Sequence, residues 1–453
     1  MQAQNTNLMT EGDFRRKIIL FTIPILIGRL FQQLYNTADS FIVGNFIGSN
    51  ALAAVSSTGS LVYLIVGFFN GFSLGAGIIV ARYIGARDEE RSRRAVHSAI
   101  AIGLLLGIVM SAAGVLITDP LLHLISTPDE VFADASIYLK IYFAGAFSLI
   151  MYNMFVSILQ ANGDSKNPLI YLIISSLINI VLDIVFITAF HMGVAGAAFA
   201  TILSEFISAV LSFARLLKSD EYIRFRPRCL RLDRQDLKDI FYYGMPTAMQ
   251  ASVIDLSNLL IQAYINSFGA AAMAGIGASS KMEGFAFLPI IAFSQAMSTY
   301  VSQNIGAGDR KRAWDGIKFG EVLALLTIET IGVFFFIFAP SLIALFSQET
   351  AVIAYGVIRM RTVALFYCLL GFSHVTSAIM RGVGKPVVPM LVMLLCWCAV
   401  RVAAIYTIGQ TIHTIYFVVW LYPITWTIST VVYLIYGLRL AGQYLRPAPD
   451  RGM

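Results

Sequence analysis

Polar side chains recur along one face of the first apolar segment of this chain. They stand at the i, i+3, i+4 and i+7 spacing that places residues on one side of a helix, at Arg29, Gln32, Gln33, Asn36, Asp39 and Ser40. Amides and charges cannot face lipid without leaving polar groups unsatisfied. The stripe is therefore predicted to face a cavity or a neighbouring helix.

Two later apolar segments carry matching groups. Asn179 and Asp183 are four residues apart, so on a helix their side chains share one face. Thr201 and Glu205 follow in the next segment. Two carboxylates, an amide and a hydroxyl are hard oxygen ligands that suit Na⁺. One acid could instead carry a proton, as intramembrane acids do in pumps. A third reading is a polar cluster that only holds helices together.

The second half of the chain offers a different set of polar groups. Asp255 begins a polar stripe in the seventh segment. Lys281 and Glu283 lie in the eighth and Arg401 in the eleventh; they are expected to be paired charges. His374 is a candidate proton relay, against the commoner role of a packing residue.

The elements that must position these groups are membrane helices. The chain is 58% hydrophobic and 13% charged, whereas a soluble domain has about 25% charged residues. About 20 apolar residues span a bilayer. Twelve segments qualify, at 18–43, 51–80, 96–118, 131–159, 168–190, 194–217, 239–267, 272–302, 314–340, 351–379, 387–409 and 413–437.

Basic residues are distributed unevenly between these segments. They cluster in the even-numbered connections, which include 82–94 and 218–238, and are missing from the odd-numbered ones. The positive-inside rule then predicts cytoplasmic termini and a cytoplasmic linker. Six segments lie on each side of that linker, so both halves enter from the same face. We predict a first lobe at 14–217, a linker at 218–238 and a second lobe at 239–440.

The halves also share sequence. IGARD at 84–88 reappears as IGAGD at 305–309, an offset of 305 − 84 = 221 residues. The same offset maps Gly48 to Gly269 and Gly163 to Gly384. A duplicated apolar unit is typical of membrane transporters, and two copies of six helices are parallel repeats.

Composition excludes several other functions. The net charge of +6 comes from short clusters between apolar runs, which argues against nucleic acid as a partner. The sequence contains no nucleotide-binding glycine loop and no metal-spaced histidine cluster. We therefore expect a transporter without a cofactor rather than an enzyme. The polar first residues lack the apolar core of a signal peptide, so the first segment should start insertion.

These motifs, taken in order, resemble the multidrug and toxic compound extrusion (MATE) family, closest to its DinF-like branch. The carriers are LYNTAD at 34–39, IGARD at 84–88, QANGD at 160–164 with Pro168, and the pair Asn179 and Asp183. The resemblance covers about residues 14–444. It implies an all-α membrane protein with twelve helices in two six-helix lobes around a central cleft.

The resemblance also implies a cation site in the first lobe. Its residues would be Asp39, Asn179, Asp183, Thr201 and the carbonyl of Ala197, with Na⁺ held at Asp39, Asn179, Asp183 and Thr201 if Na⁺ is the coupling ion. Tyr138 and Asn153 would join the network, and Gln33 and Asn36 would line the cleft. A family branch that uses second-lobe acids leaves Asp255, Glu283 and His374 as secondary candidates.

The expected function is export of small organic, often cationic, compounds in exchange for Na⁺ or H⁺. The expected setting is the cytoplasmic (inner) membrane, with the lipid bilayer and small substrates as partners and a monomeric state. The alternative is a lipid-linked precursor flippase of the same superfamily. Such a flippase should have a strongly cationic cavity, whereas this chain has few intramembrane basic residues.

Overall fold

The computed structural model of the protein describes residues 8–125, 127–440 and 442, apart from the side chains at 49, 50, 52, 53, 56, 57, 60, 63, 255, 256 and 259. Within that part of the chain the regular structure is helical throughout, as predicted. The helices are α1 (Phe14–Phe46), α2 (Ser49–Gly85), α3 (Glu89–Leu124), α4 (Asp129–Ala144), α5 (Ala146–Ala161), α6 (Lys166–Ile184), α7 (Gly193–Leu217), α8 (Arg234–Asn266), α9 (Ala270–Gly306), α10 (Arg310–Ala344), α11 (Thr350–Ala364), α12 (Tyr367–Val383), α13 (Val387–Met393), α14 (Val400–Thr407) and α15 (Ile415–Leu440). Short π-helices extend α6 (Val185–Ala189) and join α13 to α14 (Leu394–Ala399).

Most of these helices are long enough to cross a membrane. Among the described residues, nine spans meet the length and composition expected of a membrane helix, and two bent helix pairs each make one further span. The remaining predicted segment is α8, whose Gln250, Asn258 and Gln262 make it less apolar. The twelve predicted segments therefore each correspond to a helix or a helix pair.

Two segments predicted as continuous helices are broken. The segment predicted at 131–159 bends by 46° between α4 and α5, and the one at 351–379 bends by 54° between α11 and α12. At the first break, a Cβ on Gly145 would lie 2.4 Å from Ile202, so glycine permits close packing against α7. At the second, the amide of Cys368 donates to Glu329 at 2.9 Å, which satisfies a backbone group freed by the break.

Two compact units make up the chain. The first unit contains Leu8 and Ile23–Ala248, and the second contains Met9–Thr22 and the described residues from Met249 onward. The start of α1 thus belongs to the second unit, and the start of α8 belongs to the first. The division falls beside Pro24 in α1 and Pro246 in α8, where proline removes one helical hydrogen bond.

The duplicated motifs have the same conformation in both copies. Gly48 and Gly269 precede α2 and α9 with φ of 125° and 92°, a region that favours glycine. Asp88 and Asp309 each cap the next helix, because their carboxylates accept the amides of Arg91 at 3.0 Å and Arg312 at 2.9 Å. The repeated IGA-x-D sequence is therefore a turn followed by a helix cap.

The predicted linker at 218–238 packs within the first unit. His97 stacks on Phe225 with ring centroids 5.2 Å apart, and its Nε2 accepts the Arg226 amide at 3.0 Å. Asp236 is fully buried and accepts two hydrogen bonds from Arg94, at 2.9 and 3.3 Å. These contacts hold the linker against the start of α3.

Removing the Asp236 carboxylate should loosen this packing. We expect Asp236→Ala to destabilise the folded protein by about 2 kcal/mol, because it removes both hydrogen bonds of the Arg94 guanidinium and leaves it only the longer ion pair with Asp233, at 3.7 Å. The measurement is thermal unfolding in detergent. Asp239→Ala is the control, since Asp239 interacts with Gln235 one turn away on the same helix and should change the melting temperature far less. Equal losses in the two variants would contradict the prediction.

The residues before α1 are held in a similar way within the second unit. Arg312 donates to the carbonyl oxygens of Met9, Glu11 and Gly12, at 3.0, 3.2 and 2.7 Å. The Met9 amide donates to Gln303 at 2.8 Å. This segment is therefore an integral part of the second unit.

Small residues let α2 and α8 cross closely in the first unit. A Cβ on Gly71 would lie 2.9 Å from the Ala248 backbone, and one on Gly75 would lie 2.3 Å from Gly244. The two pairs are four residues apart on both helices, which is the small-xxx-small pattern of membrane helix contacts. The backbones therefore touch with no room for a side chain.

Candidate cation site

The predicted cation ligands come from three helices of the first unit. Asp39 lies on α1, Asn179 and Asp183 on α6, and Thr201 on α7. An apolar cluster joins these helices to α4; its buried members are Ile42, Val43, Ala51, Tyr138, Ile187, Val194, Ala197 and Ala198. The polar groups are thus set beside a packed core that fixes their helices.

The two carboxyl groups approach each other. Asp39 and Asp183 lie within hydrogen-bonding reach, although neither carboxylate can donate. Asp183 is completely buried and Asn179 is 1% exposed. Asp183 is the penultimate residue of α6, and the π-helix Val185–Ala189 follows directly after α6. Such π segments are frequent at functional sites.

Several oxygens of this group have no partner. Among the described residues, no hydrogen bond reaches Oδ1 of Asp39, either carboxylate oxygen of Asp183, or either polar side-chain atom of Asn179. Buried polar atoms are usually paired, and each exception calls for an explanation. A hard cation or a proton would satisfy these oxygens.

Further predicted ligands lie on α7 and α4. The Thr201 hydroxyl donates to the Ala197 carbonyl at 3.1 Å, and lone pairs of both oxygens stay free. Tyr138 is buried, stacks on Tyr142 at 6.3 Å, and lies near Asp39 and Asp183. The set offers carboxylate, amide, hydroxyl and carbonyl oxygens, a composition that fits Na⁺.

Three other predicted residues have different surroundings. Asn153 donates to the Leu149 carbonyl of its own helix at 2.9 Å; in the described part of the chain, no hydrogen bond joins it to either aspartate. Gln33 and Asn36 are half-buried on the α1 stripe. Their backbone carbonyl oxygens accept hydrogen bonds from the hydroxyl groups of Thr37 and Ser40. Their roles in the network and the cleft stay predictions.

The secondary candidates lie in the second unit. Glu283 is buried and pairs with Arg359, not with Lys281, which is exposed. Residues two apart on a helix do not face each other, so the predicted pairing of Lys281 with Glu283 was wrong. His374 packs edge-on against Phe287 and Trp397, and its Nε2 has no described partner. The side chain of Asp255 lies outside the described residues.

Sequence reasoning missed two charged residues near these groups. Arg359 was counted only as part of the apolar segment at 351–379. A basic residue at the ninth position of a membrane segment indicates an ion pair inside the membrane. Glu205 was noted on its segment but not placed in the site. It lies one turn beyond Thr201 and close to Tyr35 and Tyr152.

Comparison with known proteins adds evolutionary evidence to this geometry. A family model described as MatE matches the chain twice, over residues 24–185 and 246–407. The two matches begin 222 residues apart, and each covers the first five segments of one half. They confirm the predicted fold of two parallel six-helix repeats.

Individual relatives agree with this assignment. The probable multidrug resistance protein YpnP of Bacillus subtilis (strain 168) is 29% identical over 86% of this chain and 88% of its own length. YoeA from the same strain, also a probable multidrug resistance protein, is 28% identical over 96% of both chains. A solved structure of a MOP superfamily transporter from Pyrococcus furiosus Vc1 (DSM3638) has a TM-score of 0.91 at 25% identity, covering 99% of this chain and 100% of that one. The chain therefore belongs to the MatE family of multidrug efflux transporters and is a multi-pass membrane protein rather than an enzyme.

Proposed function

We propose that this protein exports small organic compounds in exchange for Na⁺ or H⁺, and that Asp39, Asn179 and Asp183 bind the coupling cation. The observation that carries the proposal is the group of buried, unpartnered oxygens on these three side chains. Two neighbouring carboxylates repel each other and lose hydration when buried. A bound cation relieves both costs, so cation binding stabilises the arrangement in which the two carboxylates are close together.

The energetics are adequate for export. One charge that moves down a potential of 100 mV releases about 2.3 kcal/mol. A tenfold concentration difference costs about 1.4 kcal/mol. A single cation could therefore sustain a substrate gradient of roughly fifty-fold.

The conformational step follows from the same site. Asp39 lies on α1 and Asp183 on α6, so cation binding draws these two helices together and cation release lets them separate. Pro24 leaves one turn of α1 without its hydrogen bond, which makes that turn the natural place to bend. A cation that prefers one shape of the first unit shifts the equilibrium toward it, as alternating access requires.

The remaining features of the proposal follow the sequence. We infer an inner-membrane location with cytoplasmic termini from the basic connections, a monomer, and no cofactor beyond the coupling ion. The small organic substrates follow from the multidrug resistance relatives, which favour drug export over a lipid-linked precursor flippase.

The test is transport by the purified protein in liposomes. A Na⁺ gradient and a pH gradient are imposed separately, and the movement of a fluorescent organic cation is recorded. We expect one gradient to drive transport against the substrate gradient and the other to have little effect. If neither gradient drives transport while the substrate still equilibrates, the proposed antiport is wrong.

A further inference from the structure

Two buried arginines share one tyrosine ring in the second unit. Arg359 of α11 and Arg401 of α14 lie over Tyr422 of α15, with guanidinium carbons 5.2 and 4.5 Å from the ring centroid. Arg359 is 3% exposed and Arg401 is 2% exposed. Both charges are therefore withdrawn from solvent inside a helix bundle.

Their partners do not balance these charges. Arg359 pairs with Glu283 and also donates to the Ser279 hydroxyl at 3.1 Å. Arg401 donates through Nε to the neutral Thr425 hydroxyl at 2.8 Å and covers the Trp397 ring at 5.4 Å. Among the described residues, no carboxylate pairs with Arg401. The cluster therefore has two cations and one anion.

Unused hydrogen-bond donors remain in the same cluster. Nη2 of Arg401 and Nε of Arg359 are buried, and no described acceptor reaches either. A buried guanidinium without an anion is unfavourable, and contacts with aromatic faces recover only part of that loss. A group that accepts hydrogen bonds and carries negative charge would compensate for this loss.

We propose that the second unit contains a binding site for an organic carboxylate, held by the free N–H groups of Arg401 with Arg359 beside it. A planar guanidinium matches the two oxygens of a carboxylate. The Trp397 and Tyr422 rings lie beside these donors, with centroids 5.4 and 4.5 Å from the Arg401 guanidinium carbon, so aromatic groups flank the place where the carboxylate would bind. This site goes beyond the proposed function, because it lies in the other unit and does not involve the coupling cation.

The first test uses benzoate as the probe and benzamide as its neutral counterpart. Binding to the full-length protein in detergent is measured by calorimetry and thermal unfolding, at constant ionic strength set with chloride. We expect saturable binding of benzoate with a raised melting temperature, and no effect of benzamide. An equal response to benzamide, or to chloride alone, would overturn the proposal.

Substitutions distinguish a binding role from a packing role. Arg401→Met should weaken benzoate binding at least tenfold, while the ligand-free protein melts at the same temperature or higher because an unpaired buried charge is gone. Arg401→Lys keeps the charge without the planar donors and should bind at an intermediate strength. If Arg401 only packs the core, Arg401→Met lowers the melting temperature and wild type shows no benzoate binding.

Two controls complete the design. Arg361→Met changes an exposed arginine on α11, the helix of Arg359, and should leave benzoate binding unchanged; a loss there would show a general charge effect and contradict the site. Asp39→Asn should also retain benzoate binding, so failure of the cation proposal and failure of this one are distinguishable.

Discussion

Asp39→Asn is expected to abolish cation-driven efflux while the protein stays folded and inserted. The amide keeps the size of the side chain but removes the charge that attracts the cation. Loss of one coupling charge removes about 2.3 kcal/mol per 100 mV, so the steady substrate gradient should fall by about fifty-fold. The measurement is uptake of the fluorescent cation into inverted vesicles under the active ion gradient.

The same substitution also has a stability signature. Asp39 and Asp183 lie within reach of each other without a donor between them, so neutralising one should leave the ion-free protein at least as stable. Wild type should gain about 2.7 kcal/mol when the cation is present at 100 times its dissociation constant, and the variant should not. Asp119→Asn is the control. The Asp119 carboxylate already accepts hydrogen bonds from Ser136 and Lys140, so it has no unpartnered oxygens for a cation to satisfy. Normal efflux by Asp39→Asn would rule out the proposed site.

Gly75→Ala is expected to have the largest effect on folding. Its new methyl group would lie 2.3 Å from the Gly244 backbone, and a backbone cannot move aside as a flexible side chain can. Overpacking of this kind costs about 3 kcal/mol. We expect a lower melting temperature and a smaller yield of monodisperse protein, with Gly75→Val worse than Gly75→Ala.

Gly59→Ala provides the matched control on the same helix. In the part of the chain that the structure describes, a Cβ at Gly59 meets no atom within 4 Å, so alanine should be neutral or stabilise α2 by up to about 1 kcal/mol. If both glycine substitutions destabilise the protein equally, close packing of α2 and α8 is not the reason for Gly75.

Much of the architecture could be predicted from the sequence because lipid imposes strict rules. Apolar length alone identified the membrane segments, and the repeat at an offset of 221 identified the two copies. The stripes containing Asp39 and Asn179 were visible because a helix has a fixed period. These local regularities depend on neighbours in the chain, which a sequence displays directly.

The remaining features depend on residues far apart in the chain. The break before Tyr367 is stabilised by Glu329, which accepts a hydrogen bond from the Cys368 amide. The two residues are 39 positions apart in the chain. Glu283 and Arg359 are 76 positions apart, and no periodicity links them. The packing of the linker on α3 likewise depends on His97 and Asp236, whose contacts arise only in the folded unit.

The exchange of helix starts between the two units has a consequence for biosynthesis. Met9–Thr22 are synthesised before most of the first unit, yet they belong to the second unit, and the Arg312 side chain that binds their carbonyl oxygens is made about 300 residues later. The first unit is complete only after residues up to Ala248 have been synthesised. Neither half of the chain therefore contains all the residues of its unit, and a gene split at residue 217 should yield two fragments that mature only when expressed together.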